Sequence, residues 1–370
     1  MPDNDFDCSH ALRLSGREWL VVAFAFVALI GLGPMLWERV EAFEPGRDYR
    51  MPYELSSDYW LYGRYSRQLC HQDKVLLVGD SVVWGHYVPP EQTLSHYLNV
   101  GAKDFSPLQA TDRFANLGLD GTHPAALEGL LRYYGPALCG RTIVLHFNPL
   151  WMSSAKHDLQ TEKEFHFNHP ELVSQFAVRI PCYKASFGQR LRIAVRRTIP
   201  FSNWVAHLRT TYYAGADLQT WTLEHPYENP LAPLARGLPQ PGGIPEQAAG
   251  TWVEKGAKKQ DLAWVELDSS LQWRFFQRTL RLLQEQGNNV FVLVGPFNEH
   301  MLNESDASAY RTIKGRLDAW FRHNNIPYFV PDPLPAEHYV DASHPIGEGY
   351  ARMARELLQQ PAFRSLATSR

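Results

Sequence analysis

The chain has 370 residues, of which 45% are hydrophobic and 20% are charged. That composition is ordinary for a globular protein with a full core, so it excludes a disordered or low-complexity chain. The net charge of -3 gives no overall attraction to nucleic acid, and no nucleic-acid partner is expected.

One segment near the N-terminus has the composition of a membrane-spanning helix. Trp19 to Trp37 contains no charged residue. At about 1.5 Å per residue it just reaches across a hydrocarbon core of about 30 Å. Its terminal tryptophans suit the two membrane interfaces, and Pro34 is tolerated in a membrane helix. We therefore predict a cytoplasmic tail at 1–18 and an uncleaved anchor at 19–37.

Two other interpretations of this segment stay open. A cleaved signal peptide would have a shorter apolar region followed by a small-residue cleavage site, and Met35 to Arg39 is a poor site of that kind. A buried core helix is the second alternative. Charge does not decide the orientation, because arginines flank both ends of the segment. The large domain is placed outside the cytoplasm, as is usual for a short N-terminal anchor.

Strand and helix patterns alternate along most of the remaining chain. Residues 38–73 are expected to form a linker. Beyond it, the pattern predicts strands at 74–79, 113–117, 142–147, 289–294 and 326–330, and helices at 91–99, 124–134, 269–286, 307–324 and 348–359. Short apolar runs of this kind are typical of parallel strands buried on both faces. The alternation favours an α/β layered sheet with right-handed crossovers.

Residues 151–267 interrupt the alternation and are too long for a plain loop, so a helical insertion is expected. For its basic stretch, Arg190 to Arg197, both a solvated helix face and a contact with an anionic membrane surface are open. His166 and His169 have no clear third ligand, so no metal site is predicted. Its aromatic residues are expected in a core, with stacking on sugar rings as the alternative: Trp204, Tyr212, Tyr213, Trp221 and Trp252.

Two short motifs carry candidate chemistry. Gly79-Asp80-Ser81 ends the first predicted strand, where α/β sheets place their active sites. Asp341-Ala-Ser-His344 has a spacing that lets its carboxylate reach its imidazole within one loop. A serine hydroxyl needs such a base beside it to become a nucleophile. We predict Ser81 as the nucleophile, His344 as the general base and Asp341 as the group that orients it.

Donors for a developing oxyanion follow the next two predicted strands. Asn116 to Gly121 ends the second strand, and Asn148 ends the third. A glycine N–H and an asparagine amide are suitable donors. Asp80 is expected to bond to its turn, and His86 is expected to lie in a loop, with a second base as the alternative. Asp120 and His123 flank Gly121 and are expected to be surface groups, with contact to the substrate as the alternative.

These four blocks, in this chain order and each at a strand end, resemble the SGNH hydrolase superfamily. The resemblance covers about 74–150 and 268–360, and it predicts a hydrolase-like domain at 74–150 and 268–365. It implies a three-layer, flavodoxin-like fold with five parallel strands in the order 2-1-3-4-5. It also implies an oxyanion hole made by the Ser81 N–H, Gly121 and Asn148, and chemistry that needs no metal or organic cofactor.

The implied strand order makes the first and third strands neighbours. Four cysteines in 370 residues do not form a disulfide scaffold, and free thiols are the default expectation. Cys70 precedes the first strand and Cys139 precedes the third. On the strength of the resemblance, we expect a disulfide between these two residues.

The third block departs from the superfamily, because it reads His146-Phe147-Asn148-Pro149 where Gly-x-Asn-Asp is usual. The runs at 148–152, 269–286 and 294–298 are similar to membrane-anchored D-alanine transfer proteins of bacterial envelopes. Those proteins work beside membrane-bound O-acyltransferases and modify cell-surface polymers. The similarity implies an acyl-ester donor, a carbohydrate hydroxyl as acceptor and a possible membrane-bound O-acyltransferase as partner.

The sequence therefore predicts a serine acyltransferase or esterase anchored in the inner membrane, with its catalytic domain in the periplasm. It would act on O-acyl groups, such as acetyl, of envelope polysaccharide through an acyl-serine intermediate. Plain hydrolysis, such as deacetylation, is one alternative. A non-catalytic scaffold for a membrane O-acyltransferase is the other.

Overall fold

The computed structural model describes residues 14–103, 112–239 and 250–368. Most of the predicted tail at 1–18, with Cys8, lies outside the described residues. The strands are β1 Val75–Gly79, β2 Phe114–Gly118, β3 Thr142–Phe147, β4 Asn289–Val294 and β5 Tyr328–Phe329. The α-helices are α1 Gly16–Val40, α2 Tyr59–Cys70, α3 Ser81–Trp84, α4 Leu94–Ala102, α5 Pro124–Tyr134, α6 Phe187–Arg196, α7 Pro200–Tyr212, α8 Leu218–Glu224, α9 Leu271–Glu285, α10 Glu304–His323, α11 Gly347–Gln359 and α12 Pro361–Thr368.

The five strands form one parallel sheet in the order β2-β1-β3-β4-β5. The predicted α/β class and strand order are therefore confirmed. β1 lies between β2 and β3, and Val75 pairs with Phe114 on one side and Thr142 on the other. Because the strands are parallel, the segments that follow β1, β2 and β3 meet at one edge of the sheet.

Alternate side chains of each strand enter two different cores, one on each face of the sheet. Leu76 and Val78 pack into the core that includes α5 and α9. Val75 and Leu77 pack into the core that includes α4 and α11. All four are 0% exposed, and each such side chain contributes about 1.5–3 kcal/mol when fully buried. This two-sided burial fixes the end of β1, from which the candidate nucleophile projects.

The segment predicted as a linker, 38–73, instead contains α2, which is part of the core. Asp58 begins the helix by accepting a hydrogen bond from the backbone N–H of Leu61. Leu61 and Tyr62 are 0% exposed and join the core formed with α5 and α9. The linker prediction is wrong here because the aromatic residues of this segment are buried rather than scattered in solvent.

The insertion at 151–267 contains α6, α7 and α8, and it shares the core on the α5 side through Leu172 and Val173. Four of its aromatic residues are at most 9% exposed: Trp204, Tyr212, Tyr213 and Trp221. Their interpretation as core residues is confirmed. Trp252 is half-buried, and its backbone N–H donates to the carbonyl of Tyr339 at 2.7 Å.

α1 is long and apolar enough to cross a membrane, judged by its length and composition. Its C-terminal part packs on α7: a Cβ atom added to Gly33 would lie 3.1 Å from the ring of Trp204. Beyond the helix, Glu41 accepts a hydrogen bond from His207 at 2.9 Å, and the other ring nitrogen of His207 lies 2.6 Å from Asp58. This buried network ties the end of α1 to both α2 and α7.

The expected disulfide between Cys70 and Cys139 is not present, because Cys70, Cys139 and Cys182 are all free thiols. The strands that follow Cys70 and Cys139 are neighbours, as that expectation required. However, Cys70 is buried, whereas Cys139 is exposed and its Sγ donates to the carbonyl of Pro136 at 3.1 Å. The two thiols are close enough for Cys139 to contribute to the raised pKa of Cys70, after burial as the main cause, but they are not bonded.

Candidate functional site

Ser81 is the first residue of α3, directly after β1. Asp80 caps that helix by accepting a hydrogen bond from the N–H of Val82 at 2.9 Å. α3 packs directly onto β2, since a Cβ atom added to Gly118 would lie 2.4 Å from the backbone nitrogen of Trp84. Ser81 is consequently held at the sheet edge by backbone contacts, with 8% of its surface exposed.

The structure brings Ser81, His344 and Asp341 into one hydrogen-bonded chain. His344 Nε2 lies 2.8 Å from Ser81 Oγ. His344 Nδ1 lies 2.8 Å and 2.9 Å from the two carboxylate oxygens of Asp341. Because a carboxylate only accepts, Nδ1 carries the hydrogen and Nε2 is left to accept the serine proton. This is the geometry of a base-activated serine.

The pKa values of Asp341 and His344 depend on the contact between these two residues as well as on their burial. Burial raises the pKa of Asp341, but the charge and hydrogen bond of His344 and two backbone N–H groups outweigh it and bring that pKa to about 2. Burial lowers the pKa of His344, but Asp341 more than offsets it, so the pKa of His344 is raised overall. Asp341 is therefore a fixed anion that stabilises the imidazolium formed when Ser81 loses its proton.

Asn298, which follows β4, positions the loop that carries Asp341. Its side-chain Nδ2 donates to the carbonyl of Asp341 at 3.2 Å, and its backbone N–H donates to the carbonyl of Ala342 at 2.8 Å. Asn298 is 0% exposed. Sequence reasoning gave this residue no role, although a polar side chain in the loop that follows a buried strand was an available signal.

Asp80 connects the serine turn to the third block. Its Oδ2 accepts hydrogen bonds from Asn148 Nδ2 and Trp151 Nε1, both at 3.0 Å. Burial raises the pKa of Asp80, but the charge and hydrogen bonding of His146 and the bond from Asn148 bring it down to about 2. The predicted bond from Asp80 to its turn is thus present, and the same carboxylate also holds Asn148 in place.

The three predicted oxyanion donors follow β1, β2 and β3. Across 14–103, 112–239 and 250–368, the backbone N–H groups of Ser81 and Gly121 have no hydrogen-bond acceptor. Asn148 Nδ2 uses one hydrogen on Asp80, which leaves the second for a ligand. Gly121 has φ +68, and an added Cβ would lie 2.5 Å from Asn168 Nδ2, so a side chain there would be strained and crowded.

A second histidine–carboxylate pair lies beside the first. His86 Nδ1 is 2.6 Å from Asp120 Oδ1, and the His86 ring centroid is 5.4 Å from that of His344. Sequence reasoning treated His86 and Asp120 as loop and surface residues and missed this pairing. For His123 the surface assignment is wrong: the residue is 2% exposed, and burial is the main cause that lowers its pKa to about 3.

An open cavity of about 650 Å³ begins beside this pair. Asp120 and Tyr53 line it, and the Tyr53 ring lies 6.1 Å from that of His86. From there the cavity extends between α2 and α7 to Arg209. Aromatic rings, carboxylates, amides and guanidinium groups all contribute to the wall, and Ser81, Asp341 and His344 are not among the lining residues.

Of the two histidines considered for a metal site, His169 has protein partners. His169 Nδ1 lies 3.0 Å from the Tyr59 hydroxyl, and His169 Nε2 lies 2.8 Å from the carbonyl of Asp120. His166 is exposed. Among the residues that the structure describes, no group of three or more His, Cys, Asp or Glu side chains is arranged to hold a metal ion.

The chain was also compared with known proteins. No model of a known protein family matches it, and no curated protein sequence matches it.

Proposed function

We propose that this chain is a membrane-anchored, extracytoplasmic serine acyltransferase or esterase of the SGNH type, acting on O-acyl groups of envelope polysaccharide. The observation that carries the proposal is the chain from Ser81 Oγ through the His344 ring to Asp341, with contacts of 2.8 Å on both sides of the imidazole. The strand order supports it, because the nucleophile follows β1, at the C-terminal edge of a parallel sheet.

In the first half of the reaction, Ser81 Oγ attacks the carbonyl carbon of an acyl ester while His344 Nε2 takes the hydroxyl proton. The oxygen of the tetrahedral intermediate accepts hydrogen bonds from Ser81 N–H, Gly121 N–H and Asn148. When the intermediate collapses, the C–O bond to the alcohol breaks and His344 returns the proton to that alcohol. An acyl-serine ester remains.

In the second half, His344 removes a proton from an incoming hydroxyl as that hydroxyl attacks the acyl-serine. Water as the acceptor gives the free acid, and a sugar hydroxyl gives a new ester. We place the sugar acceptor in the cavity that Asp120 lines, because its wall offers aromatic rings and charged hydrogen-bonding groups; Ser81 and His344 are not among its lining residues, so the path from the cavity to Ser81 is part of the proposal.

The proposal is tested with the full-length protein in detergent and a fluorophosphonate probe, which labels activated serines. We expect labelling of the wild type and loss of labelling in Ser81→Ala and His344→Ala. Ser308→Ala, an exposed serine on α10, is the matched control and should label like the wild type. A folded wild type that stays unlabelled, alone and with candidate membrane partners present, would overturn the catalytic proposal and leave a scaffold.

The product then separates transfer from hydrolysis. Enzyme from a preparation that reacts with the probe, but has not been treated with it, is incubated with p-nitrophenyl acetate and an unacetylated oligosaccharide. Acetate and acetylated sugar are then measured by mass spectrometry. Acetylated sugar that depends on Ser81 supports transfer. Acetate alone at every sugar concentration would establish an esterase instead.

A further inference from the structure

We propose that α6 lies on the membrane surface, with its apolar side among the lipids and the exposed Arg192 at anionic headgroups. This inference rests on the proposed anchor but not on the serine chemistry. No residue of α6 is buried in the protein. Phe187, Leu191 and Val195 are 71%, 46% and 48% exposed. Their spacing of four residues places them on one side of the helix, where they form a continuous apolar stripe.

The stripe extends beyond the helix. The Phe176 ring lies 5.7 Å from that of Phe187, and Phe176 is 54% exposed. Ile199, just after α6, is 38% exposed. A contiguous apolar patch of this kind on a soluble surface marks an interaction site.

The contacts between α7 and α1 show at which level along α1 the helix α6 lies. The Tyr212 hydroxyl, at the end of α7, donates to Glu41, which follows α1. Trp204, two turns earlier in α7, packs on Gly33. α7 therefore runs parallel to α1, because the second contact lies eight residues further along both helices (33 to 41 and 204 to 212), and its first residue, Pro200, lies toward the apolar part of α1. Because α6 ends only a few residues before Pro200, its end lies at the same level.

The thickness of the membrane then indicates where the end of α6 lies relative to the lipid. Trp19 to Trp37 spans about 28 Å as a helix, slightly less than a hydrocarbon core of about 30 Å, so the whole run is needed to cross. Gly33 must therefore lie inside the membrane boundary, and Trp204, which contacts it, lies at that boundary. The turn between α6 and α7 is brought to the bilayer by this contact.

The charge of the insertion matches such a location. Leu172 to Ala216 contains seven Lys and Arg residues and no Asp or Glu, but Arg179 and Lys184 pair with Glu162 and Arg196 pairs with Glu171. Arg192 is exposed on α6, whereas Arg190 donates to the backbone carbonyls of Gln175 and Tyr183 and supports the helix from within. An exposed apolar stripe flanked by an arginine is a composition typical of helices that lie in the membrane interface.

The test uses the full chain reconstituted in vesicles of phosphatidylcholine and phosphatidylglycerol at three to one. In a Cys8→Ser, Cys139→Ser background, Leu191→Cys carries an environment-sensitive nitrobenzoxadiazole dye. The matched control is Gln189→Cys, an exposed position on the opposite side of the same helix. The background without an added cysteine corrects for labelling of Cys70 and Cys182.

We expect doxyl-labelled lipid to quench the dye at 191 at least about twofold more than at 189, because the apolar face of an interfacial helix sits about 5–10 Å into the headgroup boundary. Glutamate at Leu191 and Val195 should abolish the quenching of a dye at Phe187→Cys. Equal quenching at 191 and 189 in vesicles that retain the protein would overturn the inference and leave the anchor intact. Protein that fails to float with the vesicles would overturn both this inference and the proposed membrane anchor. Labelling of Ser81 by fluorophosphonate is measured separately and does not enter either result.

Discussion

Asn298 donates a hydrogen bond from its side chain to the backbone carbonyl of Asp341 at 3.2 Å. This contact joins the end of β4 to the loop that orients the candidate base. The catalytic proposal thus depends on a residue that touches neither Ser81 nor a substrate, and Asn298 acts as a positioning residue.

Asn298→Ala should lower kcat about 10- to 100-fold, because small displacements of a catalytic group cost that much. A merely structural role would lower the amount of folded protein and leave the pH profile alone. A positioning role predicts in addition that the acidic limb of the kcat profile moves to lower pH, as His344 loses part of the contact with Asp341. Asn324→Ala, whose exposed side chain donates to Trp320, is the control and should change neither quantity. A variant with reduced kcat but an unchanged acidic limb of its pH profile would contradict the positioning role of Asn298.

Asp341→Asn should reduce kcat by up to about 10⁴-fold, the effect expected when the orienting carboxylate of a serine triad becomes an amide. Because Asp341 raises the pKa of His344 above 6.5, the wild type should lose activity below a pH that lies above this value. In the variant, burial dominates and the acidic limb should move to lower pH. Kinetics across pH 4–9 check this, with the exposed Asp332→Asn as control.

The same carboxylate makes a pH-dependent contribution to stability. The pKa of Asp341 is lowered from 3.8 to about 2 in the folded protein. Its stabilisation is therefore present above pH 3.8 and is lost as the pH falls through 2. Urea denaturation should show that wild type and Asp341→Asn differ in free energy of unfolding at pH 6 and converge near pH 2. A constant difference would contradict the assignment.

His207→Gln should destabilise the protein by about 3–5 kcal/mol, because it removes the cation from a buried group and leaves Asp58 and Glu41 without it. Burial lowers the pKa of His207, but the charges and hydrogen bonds of Asp58 and Glu41 raise it to about 9. The contribution is complete below pH 6.5 and is lost as the pH rises through 9. The stability difference between wild type and variant should shrink over that window. His323→Gln, at an exposed position, should show no such trend.

Tyr53→Ala should weaken use of a carbohydrate acceptor while sparing the serine itself. Tyr53 lines the cavity, and its ring lies 6.1 Å from that of His86. We expect the KM for oligosaccharide to rise about tenfold, because a lost ligand-binding contact in a pocket costs of order one factor of ten. Fluorophosphonate labelling should stay within twofold of wild type. Tyr227→Ala, at a residue 99% exposed, is the control. An unchanged KM would exclude this cavity as the acceptor site.

The elements whose bounds were predicted best are those marked by a continuous apolar run or by a proline at the start of a helix. β3, β4 and α5 begin and end where the apolar runs and Pro124 indicated. α2 was missed because aromatic residues are weak helix formers, and only tertiary burial of Leu61 and Tyr62 makes the segment helical. Helix propensity does not indicate which side chains will be buried, so it could not predict α2.

The candidate site divides in the same way. Ser81, Asp341 and His344 were predictable because their spacing and strand-end positions reflect general requirements of the chemistry. The pair His86–Asp120 was not, since its members are separated by 34 residues and meet only through two loop conformations. Nor could strand order alone establish a disulfide, because the side chain of Cys139 turns toward Pro136.

The bonds of Glu41 and His207 also determine how the domain can move. A long flexible stem would let an enzyme sweep through a thick layer of the envelope. If α1 is the anchor that we propose, its end is joined to the domain by these bonds, and Ser81 keeps one height above the lipid. Under the proposed function, polymer strands would then have to be delivered to that height.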